Sequence, residues 1–134
     1  MTEIEEIERR YEAGQLDPIK HDLERFLVAH RAEIQACRAE ESRQGAEVSP
    51  GEAVKLFILR HRTINAQREI REQLEEIQRE KWYRGVDRGC APDPEEVALE
   101  WARKYSSAWR QHRLTTILYI FEREKDRYLR LLNC

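Results

Sequence analysis

Three histidines recur before an arginine and fall on the apolar sides of different predicted helices. They are His30 in AHRAEI, His61 in RHRTIN and His112 in QHRLTT. Counted from the predicted helix ends, His30 and His61 lie level in an antiparallel pair. His112 is offset from His61 by five residues, or about 7.5 Å along a helix axis. Because neutral imidazole nitrogens bind metals, we predict these three residues as candidate ligands for a metal or a small molecule.

The surroundings of these histidines do not match a known metal motif. Di-iron bundles use Glu-x-x-His pairs, and zinc proteases use His-Glu-x-x-His. None of the four histidines has a glutamate three residues before it. The simpler interpretation is histidines that bond to neighbouring side chains, and we predict no cofactor. If a metal binds, we expect His30 and His61 to be ligands.

A second candidate site is the segment of residues 101–121, which contains no acidic residue and intersperses cations with aromatic rings. Surfaces of this kind stack bases and neutralise phosphates. The predicted face for an anionic partner comprises Arg103, Lys104, Trp109, Arg110 and Arg113. Trp101, Tyr105 and Trp109 are also four residues apart, which is the spacing of a packed helix face. We therefore favour packing and intramolecular ion pairs over nucleic-acid binding.

Within the glycine- and proline-rich segment KWYRGVDRGCAPDPEEVALEW, residues 81–101, we interpret residues 85–92 as a connector between two long helices. Gly85 is expected to end the preceding helix. Cys90 has no histidine in the loop to act as its base, and the acidic residues after Pro92 would repel a phosphate at the next helix start. Since no catalytic motif occurs elsewhere, we do not predict an enzyme.

The elements that carry these residues are predicted to be helices throughout. Asp17, Ser49 and Asp93 each precede a proline and an apolar periodic run, which is the pattern of a helix N-cap. No stretch alternates with a period of two, so no strand is expected. The predicted helices are roughly residues 3–13, 18–43, 50–84 and 94–132. We expect a kink in the last helix near HRLTT, where two threonines interrupt it.

Short joints between long amphipathic helices favour antiparallel neighbours. We therefore predict an all-α fold, an antiparallel up-down bundle of three long helices plus a short N-terminal helix, forming a single domain over residues 1–134. The apolar stripes of the two longest helices exceed what the shorter helices can cover. We expect residues 74–82 or 121–132 to meet a second copy, forming a homodimer. Glutamates four residues before a base, such as Glu75 before Arg79, mark the water-facing surface.

The composition restricts the compartment and the partners. The formal net charge is −2, and 37% of the residues are charged. The three cysteines, Cys37, Cys90 and Cys134, have no CxxC spacing, which favours free thiols in a reducing compartment. No apolar run is long enough to span a bilayer, and the acidic N-terminus is unlike a signal peptide. We expect a cytoplasmic protein with no membrane contact.

These observations predict a non-enzymatic helical interaction or adaptor protein that is dimeric and docks a protein partner through a long helix face. One alternative is a bundle, even an enzyme, that binds a small molecule or metal in a pocket near His30, His61 and Trp109. A second alternative is a nucleic-acid accessory protein that uses the basic and aromatic face of residues 103–113.

Overall fold

A computed structural model describes residues 1–133 of the chain; Cys134, one of the three predicted free thiols, lies outside the described residues. Within this range the protein is all-α, with eight helices and no strand, which confirms the predicted fold class. The helices are α1 (Glu3–Glu12), α2 (Asp17–Ala29), α3 (Arg31–Arg43), α4 (Pro50–His61), α5 (Ala66–Arg88), α6 (Pro94–Lys104), α7 (Ser106–Arg123) and α8 (Lys125–Asn133).

Two of the three predicted N-caps begin helices as expected. The Ser49 hydroxyl accepts a hydrogen bond from the Glu52 amide at 3.1 Å, and the Asp93 carboxylate accepts one from the Glu95 amide at 3.0 Å. Both caps precede a proline at the first helical position, where the missing N–H costs nothing. Asp17 is different because it is already the first residue of α2, and Leu16 in the cap position makes no side-chain bond. The third cap prediction is therefore wrong.

Each of the three predicted long helices is interrupted. The interruptions fall at His30, at residues 62–65, at Tyr105 and at Glu124. Eight helices therefore replace the predicted set of three long helices and one short helix, and the continuous long-helix form of the bundle is not what the structure has. The first predicted helix matches α1 closely.

Three of the interruptions are single residues through which helical hydrogen bonding continues. At His30, the ring Nδ1 donates to the Phe26 carbonyl at 2.9 Å, and the His30 amide donates to that carbonyl at 3.0 Å. Beside Tyr105, the Ser106 hydroxyl donates back to the Ala102 carbonyl, a bond that bends helices. The HRLTT stretch lies inside α7, so the helix is not interrupted there, and the kink expected near it stays a prediction.

The interruption at residues 62–65 is a full break with its own caps. Arg62 ends α4 in the left-handed conformation, with φ of 70°, and its amide donates to the Ile58 carbonyl at 2.8 Å. A left-handed arginine is uncommon because its Cβ crowds the backbone. Asn65 then begins α5, since its side chain accepts a bond from the Arg68 amide at 3.0 Å. Two helices result where the sequence predicted one.

The contacts group the chain into two compact units, Met1–Ile64 with the described residues from Leu114 onward, and Asn65–Arg113. In the first unit α2 packs on α8, α3 on α4, and α4 on α8. Its core includes Ile7, Leu23, Phe26, Ile58, Ile117, Phe121 and Tyr128. The assignment of residues 1–134 to a single domain stays a prediction, because a division of the contacts into two units does not show whether each unit folds independently.

The second unit consists of α5, α6 and the first residues of α7, and α6 packs on α5. Its buried residues are Glu69, Val97 and Trp101. One of these three is charged, so the apolar core of this unit is small. Among the helices of residues 1–133, α5 is the longest.

Candidate functional site

Four of the five large hydrophobic side chains that are exposed on α5 lie in one row along the helix, and the fifth, Tyr83, lies off that row. Ile70, Leu74, Trp82 and Val86 are 58%, 53%, 63% and 64% exposed, respectively. They follow each other at four-residue steps with Gln78 in the middle, so the five side chains form an i±4 ridge. The ridge from residue 70 to residue 86 is about 24 Å long at 1.5 Å per residue. We call these five residues the α5 row.

Ion pairs hold the neighbouring helices against the other side of α5, which leaves this row facing outward. Glu69, only 2% exposed, accepts from Arg110 Nη1 at 2.8 Å, and Glu72 pairs with Arg113. Glu69 lies about half a turn and Glu72 about a third of a turn around the helix from the middle of the row. Because α6 and α7 cover this acidic side of α5, the α5 row remains exposed to solvent.

Arg84 connects the same acidic side of α5 to α6. Its guanidinium lies 3.1 Å from Glu80 Oε1 and 2.6 Å from Glu100 Oε2. The hydrogen bond from Arg84 and the charge of that guanidinium lower the pKa of Glu100 below its ordinary value. The pairing therefore keeps Glu100 ionised and fixes α6 on the side of α5 away from the row.

A shallow hollow of about 550 Å³ lies along the C-terminal half of the α5 row. Its lining includes Gln78, Lys81, Trp82, Gly85, Val86 and Pro92. Gly85 lies within α5, and a Cβ there would be in ordinary contact, 3.6 Å from the Cys90 carbonyl and from Pro92. Gly89, with φ of 72°, ends the helix instead, so α5 extends beyond the predicted end at Gly85. The connector loop thus forms one wall of the hollow.

Two of the three candidate histidines meet in the first unit. The ring centroids of His30 and His61 are 4.9 Å apart, and both rings contact Phe26 and Phe57 at 4.4–5.6 Å. His30 is half-buried, whereas His61 is exposed. A groove of about 510 Å³ lies beside His61, and Arg60 in its wall donates to Glu41 at 3.0 Å. The four rings form one aromatic cluster at the junction of α2, α3 and α4.

The aromatic cluster contains only two of the three histidines that the sequence predicted as candidate metal ligands. Among residues 1–133, no group of three or more His, Cys, Asp or Glu side chains is arranged to hold a metal ion. His112 belongs to the second unit, as does Trp109. The donor set around His30 and His61 alone fits a weak two-ligand site better than a structural metal centre.

The predicted anionic-partner face has most of its charge paired within the second unit. Lys104 Nζ lies 4.0 Å from Glu100, while Arg110 and Arg113 bind Glu69 and Glu72 as described above. Arg113 also lies over the Trp109 ring at 4.8 Å. Arg103 and Lys104 are exposed on α6. Because carboxylates of α5 already neutralise the arginines of α7, a nucleic-acid phosphate would have to displace them.

Trp109 lines a groove of about 700 Å³ on the second unit together with other aromatic side chains. Its lining includes Tyr83, Trp101, Tyr105, Trp109 and His112. The acidic residues Glu76 and Glu80 also line it. Each carboxylate already binds an arginine, Arg79 and Arg84 respectively. The groove therefore combines stacking surfaces with internally compensated charge.

A polar network in the first unit was not anticipated from the sequence. Glu124 accepts from the Tyr11 hydroxyl at 2.7 Å and from Arg127 Nε at 3.0 Å, and it pairs with Lys20 Nζ at 3.1 Å. Burial alone raises the pKa of Glu124, but the three donors outweigh burial and hold that pKa below its ordinary value. Burial and the bond to Glu124 raise the pKa of Tyr11 to about 12. The network stabilises α1, α2 and α8 around the residue between α7 and α8.

Comparison of the chain with protein-family models, with curated proteins and with solved structures found no match. None of the helices within residues 1–133 combines the length and the apolar character needed to cross a membrane.

Proposed function

We propose that this protein is a non-enzymatic helical interaction protein that docks a protein partner through the α5 row. The observation that carries the proposal is the exposure of Ile70, Leu74, Trp82 and Val86 along one i±4 ridge, with Gln78 between the two apolar pairs. Scattered exposed apolar residues are normal on a protein surface, but contiguous ones mark interaction sites. A ridge of this kind suits a helix-in-groove or helix-on-helix contact.

The chemistry of the row fits the anatomy of a protein interface. Trp82 and Leu74 supply large apolar anchors, and tryptophan is enriched among residues that dominate binding energy. Arg71, Glu75 and Lys81 flank the row and supply a polar rim. Burial of such a row against a partner is favourable by roughly 25 cal/mol per Å² of apolar surface. The row therefore supports a specific contact with a protein rather than with a small solute.

Homodimer formation is part of the same proposal. Of the two stripes expected to meet a second copy, residues 121–132 include Phe121 and Leu132, which are 0% and 6% exposed. That stripe is buried in the core of the first unit, so residues 74–82 are the ones that support a dimer. We also propose a cytoplasmic location, since Cys37 and Cys90 are both free thiols.

Leu74→Glu tests the docking function, with Leu99→Glu as the matched control. Leu74 is 53% and Leu99 is 72% exposed, so neither substitution should unfold the chain, and Leu99 lies off the row on α6. Each variant is immobilised and the proteins captured from the native cytoplasm are quantified by mass spectrometry. We expect Leu74→Glu to lose at least about 90% of the specific partner, a second copy of the chain included, while Leu99→Glu retains it. If the two variants capture the same proteins in the same amounts, the proposal is wrong.

A second candidate function is metal or ligand binding at the aromatic cluster. The contact that favours it is the 4.9 Å separation of the His30 and His61 rings, with His30 Nδ1 bonded to the Phe26 carbonyl. A metal-binding histidine often donates its other ring N–H to a carbonyl in this way. Elemental analysis of protein purified without a histidine tag tests this candidate. A metal-free sample that also leaves added Zn²⁺ unbound would exclude it.

A further inference from the structure

We call the groove of about 700 Å³ on the second unit the tryptophan groove; the rings that line it are Tyr83, Trp101, Tyr105 and Trp109. Trp101 and Tyr105 are in contact, with ring centroids 6.3 Å apart and planes inclined at 49°. The ring that Tyr83 contacts is Trp82, which lies outside the groove, and within residues 1–133 Trp109 contacts no other aromatic ring. The rings therefore line the groove without filling it, and a ligand there would meet aromatic surface from α5 and from the helices opposite.

The rings of the tryptophan groove are of the types that attract cations. A cation within about 6 Å of a ring centroid is attracted to the negative face of the ring, most strongly at tryptophan. Trp109 already binds one in this way, because the Arg113 guanidinium lies over its ring at 4.8 Å. Arg113 is not part of the groove lining, and Tyr83 and Tyr105 are 61% and 45% exposed. The groove therefore retains aromatic surface that a cation can cover.

Two carboxylates place negative charge beside these rings. Glu76 and Glu80 lie one turn apart on α5, and both line the groove. Glu76 binds Arg79 and Glu80 binds Arg84, in each case through Oε1 of the carboxylate. Within the described residues, Oε2 of neither carboxylate accepts a hydrogen bond. Since Arg84 also pairs with Glu100, one guanidinium serves two carboxylates, and a cation in the groove can approach them without displacing an arginine.

These walls favour an alkylated ammonium group over an anion or a primary ammonium. An anion would be repelled by Glu76 and Glu80. A primary ammonium carries three N–H donors, and aromatic faces do not replace the water that those donors lose. A quaternary ammonium has no N–H donor, and its methyl groups pack on aromatic rings while its charge is attracted to them. The volume of about 700 Å³ lies within the range of about 300–1,000 Å³ that is usual for small-molecule sites.

We propose that the tryptophan groove binds a small organic cation that carries a quaternary ammonium group. The rings of Tyr105 and Trp109 contact the cation, and the carboxylates of Glu76 and Glu80 provide the opposing charge. All four residues belong to the second unit, so the site is contained within that unit. The inference is independent of the docking function, because no residue of the α5 row lines this groove.

Choline and its uncharged isostere, in which carbon replaces the quaternary nitrogen, test the requirement for charge. Tryptophan fluorescence of the full chain is titrated with each compound at constant ionic strength. We expect choline to bind with a dissociation constant of about 1 mM and the isostere to bind at least about tenfold more weakly. Equal affinity for the two compounds overturns the proposal, as does the absence of choline binding up to about 20 mM.

Three substitutions test the location of the site. Tyr105→Leu keeps apolar bulk but removes an aromatic face, so we expect the dissociation constant for choline to rise about fivefold. Glu76→Gln removes charge from a partly exposed side chain, and we expect a rise of about threefold. Trp82→Leu is the control, since Trp82 is 63% exposed and lies outside the groove. Circular dichroism verifies that each variant is folded. Equal affinity for choline in all three variants and the wild type, or a loss in Trp82→Leu as large as in Tyr105→Leu, contradicts the assigned groove.

A short peptide that carries one trimethyllysine distinguishes a free small molecule from a modified protein side chain. We expect this peptide to bind no more tightly than choline, and its unmethylated form to bind at least about tenfold more weakly than choline. A methylated peptide that binds more than about tenfold more tightly than choline overturns the small-molecule source. An unmethylated peptide that binds as tightly as the methylated one overturns the requirement for alkylation.

Discussion

Removing the charge of Glu124 should destabilise the first unit in a way that depends on pH. The carboxylate is 19% exposed and receives Tyr11, Lys20 and Arg127. Glu124→Gln keeps the shape of the side chain but removes its charge. The amide NH₂ of the glutamine cannot accept hydrogen bonds from the donors that it faces. A hydrogen bond to a charged group contributes roughly 1.5–3 kcal/mol, and the glutamine retains part of the set. We therefore expect a loss of about 2 kcal/mol in the free energy of unfolding at pH 7.

The pH dependence follows from the direction of the shift. Folding lowers the pKa of Glu124 from its ordinary value of 4.5. The stabilisation by the ionised form is therefore complete above the unfolded-state pKa and is lost as the pH falls through the lower folded-state pKa. The difference between wild type and Glu124→Gln should be largest near neutral pH and should shrink as the pH falls below the ordinary value.

Urea denaturation followed by circular dichroism at pH 7 and at about pH 3 measures both effects. Glu122→Gln is the matched control, since Glu122 also has a lowered pKa but pairs with Lys55 at a surface where the two side chains are 47% and 38% exposed. We expect the control to change the free energy of unfolding by less than about 0.5 kcal/mol. An equal loss for both variants, or a loss for Glu124→Gln that persists unchanged at low pH, refutes the assigned network.

Three further substitutions test how the helices are held. Arg110→Ala leaves the Glu69 carboxylate, only 2% exposed, without its guanidinium, so we expect a loss of about 3 kcal/mol in urea denaturation. Arg103→Ala, on the exposed surface of α6, should cost less than about 0.5 kcal/mol, and a similar loss for both would contradict the buried pair. Ser49→Ala removes the cap of α4 and should cost about 1 kcal/mol in the same assay, with no change contradicting the cap. In Gly89→Ala the new Cβ has open space around it, but the backbone retains φ of +72°. The expected cost of about 1 kcal/mol therefore measures backbone strain alone, and an unchanged melting temperature would contradict it.

The sequence predicted the helix starts that depend on local chemistry. Ser49 and Asp93 are capping residues because a side-chain oxygen and an amide two or three residues later suffice, and a following proline makes the signal stronger. The all-α class follows from apolar periodicity for the same reason. Asp17 has the same pattern, but the preceding turn continues into α2 and shifts the helix start by one residue.

The interruptions inside the long runs were not predicted because their causes are tertiary or rare. His30 ends α2 where its ring packs on Phe26 and on the rings of α4, contacts that no local spacing encodes. Arg62 adopts the left-handed conformation at a position without a glycine, so no local signal predicts that α4 ends there. Asn65 is different, since an asparagine before a helical run is a recognisable cap, and that signal could have located the start of α5.

The candidate surface was located from sequence only in part. Residues 74–82 were expected to be an exposed stripe, and Leu74 and Trp82 are exposed. Prediction of the full row from Ile70 to Val86 would have required knowing that α6 and α7 cover the acidic side of α5. Phe121 was expected on an equally plausible stripe and is buried, because the last helices fold back on the first unit. Which of two similar stripes remains exposed is decided by long-range packing.

Hydroxyl-radical footprinting over a concentration series, with and without the captured partner, tests most directly whether the α5 row is a docking surface. Trp82 and Leu99 start with similar exposure, at 63% and 72%, and differ in whether they lie on the row. The proposed docking predicts that oxidation of Trp82 falls severalfold as complexes form while oxidation of Leu99 stays constant. Unchanged oxidation of Trp82 in a sample shown by sedimentation to be associated would contradict it, because the contact would then lie elsewhere.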